Sequence, residues 1–429
     1  MGSYRRVRSP EKPFSLLVKP AGASCNLACE YCFYLPKADL YPDSRPRMTG
    51  EVLERLVASY MKTRQDPYSF VWQGGEPTLM GVEFFRAVVE LQEHYAAPGT
   101  RVSNALQTNG TLMNPELVEL LGAYRFLVGV SVDGPPEVHN RYRRRLSGEG
   151  SHDAVARAIR RLLRAGVAVN ALVLVTRANV ERAPEVYRHL VDLGVTHHQY
   201  IPCVEFDASG HLKPYAITGG QWGRFLIRLL DTWASRDVRR ISIRHHDALV
   251  GFLVDGRREL CTMAGRCDAY YIVEHNGDVY PCDFYVEPDL RLGNIVCDEW
   301  GTIVRNPSGR AFAARKAAWP DRCVSCRHLP YCSGDCTRQR VAIPPGAGSS
   351  LCEGWQAFYD AALPILRPLA DRVVGSGRGR TSRWDPAAHP PDEPCYCGSG
   401  RKARNCHLAA ANQEQTLSAT TSRSTSSAA

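Results

Sequence analysis

Three cysteines near the start of the chain, Cys25, Cys29 and Cys32, share one short stretch of sequence. The spacing Cys-x3-Cys-x2-Cys puts three thiolates on a single loop, where they match three irons of a [4Fe–4S] cluster. Because no fourth cysteine is nearby, one iron would keep an open position for another ligand, as a catalytic metal does. The alternative is a structural zinc site completed by a distant residue.

Nine more cysteines lie within residues 261–352, a segment rich in Cys, Gly and Pro with few long periodic runs. Hydrophobic burial alone is a poor way to stabilise such a segment, so we expect metal crosslinks. Eight of the nine supply enough thiolates for two four-cysteine sites, either iron–sulfur clusters or zinc ribbons. These eight are Cys261, Cys267, Cys282, Cys323, Cys326, Cys332, Cys336 and Cys352.

A third group near the C-terminus contains Cys395, Cys397, Cys406 and His407. Three thiolates and one imidazole form a closed tetrahedral Zn²⁺ site, so we interpret this group as structural or partner-binding. Cys203 and Cys297 belong to no group, and we expect buried structural thiols. The chain contains sixteen cysteines, and we find no export signal in the sequence. We therefore predict a cytoplasmic protein whose cysteines serve metal or redox chemistry rather than disulfides.

The elements that would position these groups are short apolar runs alternating with helical patterns from residue 14 to about 202. Six candidate strands begin at Phe14, Ser69, Arg101, Phe126, Val167 and Thr196. One helical pattern follows a Thr49 cap, and another runs from Ser151 to Gly166. Six strand–helix units predict an α/β fold with a parallel sheet, either open and doubly wound or closed into a full or partial barrel.

Polar or cysteine-rich sequences follow four successive candidate strands. They are the Cys25–Cys32 loop, Gln73-Gly74-Gly75-Glu76-Pro77, Gln107-Thr108-Asn109-Gly110 and Ser131-Val132-Asp133-Gly134. Parallel β/α folds place their active sites at the carboxyl ends of the strands. These four sequences therefore indicate one site.

The cysteine loop followed by Phe33-Tyr34, together with the GGEP motif, resembles the radical S-adenosylmethionine (SAM) enzymes over residues 14–235. The resemblance implies that SAM occupies the open iron and yields a 5′-deoxyadenosyl radical when the cluster reduces it. It also implies that the backbone of Gly74, Gly75 and Glu76 meets the SAM amino group. Ser131 and Asp133 would then lie near the SAM carboxylate or ribose, and Tyr34 beside the cluster and adenine. Alternatively, Gly74-Gly75 forms an ordinary turn, and Asp133-Gly134 only begins a loop.

The second group of cysteines resembles the SPASM extension of radical SAM enzymes, which carries two auxiliary [4Fe–4S] clusters. The family's interleaved pattern implies two ligand sets. The first is Cys261, Cys267, Cys282 and Cys336, and the second is Cys323, Cys326, Cys332 and Cys352. Three [4Fe–4S] clusters are thus expected in all.

Within the SPASM proteins the chain is most similar to the anaerobic sulfatase-maturating enzymes, on the CNLACEYCFY loop, QGGEPTL, QTNG and Tyr280-Pro281-Cys282-Asp283-Phe284. That family oxidises a Cys or Ser within a Cys/Ser-x-Pro-x-Arg motif of a sulfatase to Cα-formylglycine. Asp283 matches the family's proposed base. An Asp that caps a turn is the alternative for this residue. For the protein, the alternative is a SPASM enzyme that modifies a ribosomal peptide.

Residues 394–408 resemble the SEC-C motif, a small zinc-binding module. Tyr396 stands between the first two cysteines, where the motif usually has a proline. The predicted organisation is a partial (β/α)6 radical SAM barrel at 10–235 and a SPASM domain at 236–372. A flexible linker at 373–393, the zinc motif at 394–408 and a disordered tail at 409–429 would follow.

The charge pattern bears on other classes of partner. The chain of 429 residues carries a formal net charge of +9. Four arginines at helical spacing, Arg157, Arg160, Arg161 and Arg164, predict a solvated helix face. A non-catalytic zinc protein that binds nucleic acid is the rival, but no aromatic residues interleave with these arginines. No apolar stretch approaches the roughly 18–20 residues of a membrane span, so we expect no membrane partner. A sulfatase polypeptide and an electron donor are the expected partners.

Overall fold

The computed structural model describes residues 12–41, 46–340 and 348–375. The predicted zinc ligands Cys395, Cys397, Cys406 and His407 lie outside these ranges, as do the predicted tail and nearly all of the predicted linker. No helix of the described ranges has the length and apolarity that crossing a bilayer requires.

Ten strands form one sheet. They are β1 Ser15–Lys19, β2 Tyr68–Trp72, β3 Val102–Thr108, β4 Leu127–Ser131, β5 Ala168–Val175, β6 His197–Pro202, β7 Ser242–Ile243, β8 Tyr270–Glu274, β9 Asp278–Tyr280 and β10 Gly293–Asn294. The order across the sheet is β10-β9-β8-β1-β2-β3-β4-β5-β6-β7. β8 and β1 to β7 run parallel, whereas β9 and β10 are antiparallel additions at one edge. The six predicted strands and the parallel, partial-barrel fold are confirmed.

Thirteen α-helices accompany the strands in the described ranges. They are α1 Gly50–Met61, α2 Val82–Tyr95, α3 Pro115–Ala123, α4 Pro136–Tyr142, α5 His152–Arg164, α6 Ala183–Asp192, α7 Gly219–Ala234, α8 Arg244–Asp255, α9 Trp300–Ile303, α10 Pro307–Arg315, α11 Asp321–Val324, α12 Leu329–Cys332 and α13 Cys352–Gly375. Short 3₁₀ helices occupy Leu35–Leu40, Pro77–Met80, Asp283–Tyr285, Pro288–Leu290 and Thr337–Arg340.

The helix signals in the sequence act mostly as predicted. Thr49 caps α1 by accepting a hydrogen bond from the Val52 N–H, and Gly166 ends the α5 region with a φ of +71°. Ser151 precedes α5 but does not cap it, because its hydroxyl donates to the Arg143 carbonyl instead. The four arginines of α5 are exposed, which confirms the solvated face.

The described residues divide into two compact units, one formed by those up to 244 with 268–313, the other by 245–267 with the described residues from 314 onward. Residues 268–313 belong with the barrel because β8 pairs with β1. The domain boundary at 235/236 stays a prediction from the change in sequence composition, which carries no information about this long-range strand pairing.

The second unit contains α11, α12, α13 and most of α8. The long helix α13 buries Trp355, Phe358, Tyr359 and Ala362, a spacing of three to four residues that gives one apolar face.

The two unassigned cysteines have different surroundings. Cys203 is 4% exposed and packs with Cys29 in one apolar cluster, as predicted. Cys297 is exposed, so the expectation of a buried thiol is wrong there. It lies in the turn after β10, where its N–H donates to the Asn294 carbonyl, and a tight turn at the sheet edge holds the side chain outside the core.

Candidate active site and cysteine centres

The three cysteines of the first loop lie together at the carboxyl end of β1. Cys29 is buried among Leu27, Tyr31 and other apolar residues, and Cys25 and Cys32 pack against that cluster. Burial raises the pKa of the Cys29 thiol to about 12, against the opposing effect of the Arg143 guanidinium. Such thiols are poor free nucleophiles. They fit metal ligation, where bound iron supplies the positive charge that makes a buried thiolate stable.

Backbone hydrogen bonds fasten this loop to the GGEP segment. The Gly75 N–H donates to the Gly22 carbonyl at 2.8 Å, and the Glu76 N–H donates to the Ser24 carbonyl at 2.8 Å. A Cβ on Gly75 would lie 2.0 Å from the Ser24 oxygen. Only glycine allows this approach of two backbones.

The Glu76 carboxylate connects the second and third strand ends. It is fully buried and accepts hydrogen bonds from the Thr78 N–H and hydroxyl, the Thr108 hydroxyl and the Asn109 N–H. Burial raises its pKa, and these donors oppose the shift. The side chain therefore organises the site, and the backbone of this segment is what remains to meet a ligand.

Asn109 extends this arrangement to the cysteines. Its Nδ2 lies 2.8 Å from the Asn26 Oδ1 and 3.7 Å from the Cys25 sulfur. The Leu27 N–H donates to the same sulfur at 3.4 Å. Donors of this kind stabilise negative charge on a thiolate.

The Asp133 carboxylate is bound by protein groups. Tyr31 donates its hydroxyl to Oδ2, Arg143 lies 3.1 Å from the same oxygen, and the Leu174 N–H donates to Oδ1 at 3.0 Å. With both oxygens engaged, Asp133 positions Arg143 beside Cys29. Ser131, at the end of β4, is partly exposed and better placed than Asp133 to meet a ligand.

A group of buried charges occupies the ends of β1 and β8. The parallel register pairs Lys19 with Glu274, and both residues are 0% exposed. The Lys19 ammonium forms an ion pair with Oδ1 of Asp283 and lies 4.0 Å from the centroid of the Tyr34 ring. Tyr34 donates its hydroxyl to Glu274, and burial, then the Glu274 charge, raises the pKa of Tyr34 well above its usual range.

Asp283 is part of this network. Its carboxylate pairs with the buried Lys19 at the start of the 3₁₀ turn Asp283–Tyr285, and its role as a base stays a prediction. Tyr34, two residues after Cys32, thus joins the cysteine loop to Asp283 through Lys19.

The second predicted auxiliary set lies in one place. Cys323, Cys326, Cys332 and Cys352 all line a single cavity in the second unit, which we call the four-cysteine cavity. Burial raises the pKa of Cys332 to about 12 and also raises that of Cys323 and Cys352. Four thiols around one cavity fit a fully ligated cluster.

Three cysteines of the first auxiliary set, Cys261, Cys267 and Cys336, belong to the same unit. Lys316 is 0% exposed, donates to the carbonyl of Thr262 at 2.8 Å and also donates to the carbonyl of Asp335. It thereby ties the residues next to Cys261 and Cys336 together. Cys282 belongs to the first unit, so the complete set remains a prediction from the sequence.

Within the described ranges, no three or more His, Cys, Asp or Glu side chains are grouped as ligands of one metal ion.

Asn109 lies in one of the four sequences predicted to form the site, whereas Lys19, Arg143 and Glu274 were not predicted to belong to it. A signal existed for two of them: Lys19 and Glu274 each end an otherwise apolar strand, SLLVK and YYIVE. A charge at the carboxyl end of a buried parallel strand indicates a site. Arg143 stood within a run of arginines that resembles surface, and its burial depends on tertiary packing.

The strand order and the three-cysteine loop define a radical SAM protein. The sequence profile described as the Radical SAM superfamily matches residues 20–190. The profile described as an iron–sulfur cluster-binding domain, SPASM, matches residues 261–327. The profile of the SEC-C motif matches residues 393–409. The first two families imply iron–sulfur clusters and SAM.

Comparison with individual proteins narrows the class. The serine-type anaerobic sulfatase-maturating enzyme of Bacteroides thetaiotaomicron is 33% identical, over 83% of this chain and 91% of its own. The cysteine-type enzyme of Clostridium perfringens is also 33% identical, over 84% of this chain and 99% of its own. A solved structure described as native anSMEcpe with bound AdoMet and Cp18Cys peptide superposes with a TM-score of 0.79 at 33% identity, covering 84% of this chain and all of that one. The chain belongs to the family of anaerobic sulfatase-maturating enzymes.

Gly75→Ala tests the contact between the two loops. The added methyl group would force the Ser24 carbonyl away, and displacement of this size should reduce 5′-deoxyadenosine formation on the order of 10²-fold. High-performance liquid chromatography of anaerobic reactions measures that product. Gly50→Ala is the control, since its Cβ meets nothing within 4 Å; equal loss in both variants would contradict the assignment.

Proposed function

We propose that the protein oxidises one Cys or Ser side chain of a sulfatase polypeptide to Cα-formylglycine. The observation that carries the proposal is the contact path from the cysteine loop through Tyr34 and Lys19 to Asp283. A carboxylate within reach of the cysteine loop supports this chemistry, and a solved relative is described with bound AdoMet and a peptide. The 33% identity to both serine- and cysteine-type enzymes supports either target residue.

Cys25, Cys29 and Cys32 would hold a [4Fe–4S] cluster with SAM on its open iron. The N–H groups of Gly75 and Glu76 are used within the protein, so the carbonyl oxygens of Gly74 and Gly75 are suited to accept from the SAM amino group. Ser131 and the cationic Arg143 would face its carboxylate side, with Asp133 positioning Arg143. When bound at these residues, the cluster and SAM would supply the radical chemistry that takes one β-hydrogen atom from the target residue.

Asp283 would then remove a proton from the target thiol or hydroxyl. Lys19 holds Oδ1, which leaves Oδ2 to take the proton. Loss of one hydrogen atom, one proton and one electron converts a serine side chain to the aldehyde. A cysteine side chain becomes a thioaldehyde by the same losses, and water exchanges its sulfur for oxygen. The electron would go to auxiliary clusters held by the two predicted cysteine sets.

The expected substrate carries a Cys/Ser-x-Pro-x-Arg motif, and an external electron donor must reduce the radical SAM cluster. Zinc at the C-terminal motif and a cytoplasmic location stay predictions from the sequence. A ribosomal-peptide-modifying SPASM enzyme is the alternative, and it would share every cluster.

A peptide assay separates these functions. Incubated without oxygen, with SAM and a reductant, a peptide containing Cys-x-Pro-x-Arg should lose two hydrogens and exchange sulfur for oxygen, as mass spectrometry detects. Metal analysis of the same preparation should give about twelve irons per chain for three [4Fe–4S] clusters. An intramolecular crosslink in the peptide would favour the alternative, and a protein with zinc only would contradict both.

Asp283→Asn isolates the proton transfer. The amide keeps the shape of the side chain but cannot act as a base, so 5′-deoxyadenosine should still form while the formylglycine yield falls on the order of 10²–10⁴-fold. The control is Asp289→Asn, an exposed aspartate on the following 3₁₀ turn. An unchanged formylglycine yield with Asp283→Asn would show that Asp283 is not the base.

Lys19→Met tests whether the buried ion pair orients the base. Without its ammonium, Asp283 is a buried carboxylate without its ionic partner, which is strongly unfavourable. We expect 5′-deoxyadenosine formation to become uncoupled from formylglycine formation, with kcat falling more than KM changes. Lys12→Met removes an exposed pair with Asp268, which should contribute little. Coupling that stays intact in both variants would show that the ion pair does not position the base.

A further inference from the structure

Hydrogen-bond donors point at the sulfur atoms of the four-cysteine cavity. The Gln356 Nε2 lies 3.6 Å from the Cys326 sulfur. Arg322 and Gly334 line the same cavity, where the Arg322 side chain favours the thiolate of Cys352 and the Gly334 N–H that of Cys332. Donors thus accompany three of the four thiols, and two of these donors are side chains that a mutation can remove.

These donors come from the elements that carry the cysteines. Gln356 lies four residues after Cys352 on α13, one helical turn along the same face. Arg322 directly precedes Cys323 in α11. Cys352 is the first residue of the 24-residue α13, so the positive end of that helix dipole also faces it.

The opposing charge is Asp335, which is 3% exposed and lines the same cavity. It acts on Cys332 and Cys352 through its charge, but its own carboxylate accepts the Ser349 hydroxyl at 2.6 Å and has the Lys316 ammonium nearby. The donors, in contrast, favour negative charge on the sulfurs, against the opposing effects of burial and of the Asp335 charge.

We propose that Gln356 and Arg322 set the reduction potential of the cluster that Cys323, Cys326, Cys332 and Cys352 would bind. The inference rests on the proposed function, because that function assigns a [4Fe–4S] cluster to these four cysteines. Reduction adds one negative charge, and N–H groups bonded to the sulfurs stabilise that charge, so they raise the potential. A raised potential fits this cluster to accept an electron rather than to reduce SAM.

Redox equilibration followed by electron paramagnetic resonance tests the proposal. In protein with Cys25, Cys29 and Cys32 changed to Ala, the signals of the auxiliary clusters remain. Gln356→Leu should shift one midpoint potential to more negative values, and Gln356→Glu should shift it further because a carboxylate repels the added charge. Arg322→Leu should shift the same signal in the same direction, while the other auxiliary signal stays in place.

Arg327→Leu is the matched control. Arg327 lies next to Cys326 much as Arg322 lies next to Cys323, and both side chains are exposed. Arg322 lines the cavity, whereas Arg327 bonds Asp360 at 2.7 Å and His328 at 3.2 Å. Removal of Arg327 should leave both potentials unchanged, because its bonds go to these two side chains rather than to a sulfur.

Unchanged potentials in all three Gln356 and Arg322 variants, at unchanged iron content, would overturn the proposal. Loss of about four irons per chain in Gln356→Leu would overturn it as well, because the side chain would then serve cluster assembly. The proposed function fails separately. Unaltered protein that holds both auxiliary clusters yet makes no formylglycine would contradict that function and leave the potential measurement interpretable.

Discussion

The parallel pairing of β8 with β1 is the constraint on which the candidate active site depends. It aligns Lys19 with Glu274 across about 250 residues of chain, and the antiparallel return through β9 then brings Asp283 back to Lys19. Without this pairing, the cysteine loop and the carboxylate would belong to unconnected parts of the chain. The site therefore depends on the pairing of β8 with β1 rather than on any single sequence motif.

The pairing also explains why charged residues are buried here. A buried charge is costly unless it is paired, and Lys19, Glu274 and Asp283 have one another and Tyr34 as partners. Removing any one member leaves the others poorly satisfied, so the network holds its geometry more strictly than an exposed ion pair would. Such rigidity is what the proposed function would require of a base.

The sequence predicted what local patterns determine. Runs of β-branched and apolar residues predicted the strands that begin near Phe14 and Val167. The cysteine spacings predicted which groups of cysteines would bind metal. The GGEP glycine was predicted to lie in the site, but its contact with the Ser24 carbonyl became visible only in three dimensions.

Long-range packing determined what the sequence did not reveal. β8 to β10 are short strands within a cysteine-rich segment, and their place in the sheet depends on a partner far away in the chain. Arg143 and Arg145 stand in the same run of arginines, yet Arg143 is buried against Asp133 and Tyr31. Cys297 illustrates the reverse case, because a residue type that is usually buried lies in an exposed turn.

The two kinds of cysteine centre would serve different steps of the proposed reaction. The first loop offers three thiolates, with Arg143 beside Cys29, so a cluster bound there has a free iron and a cation that can face an anionic ligand. The four-cysteine cavity offers one thiolate for every iron of a [4Fe–4S] cluster. A cluster without a free iron cannot bind substrate through iron, and electron transfer is the chemistry left to it. The proposed reaction also needs a proton acceptor, and the pairing of β8 with β1 brings the Asp283 carboxylate within reach of the cysteine loop through Tyr34 and Lys19.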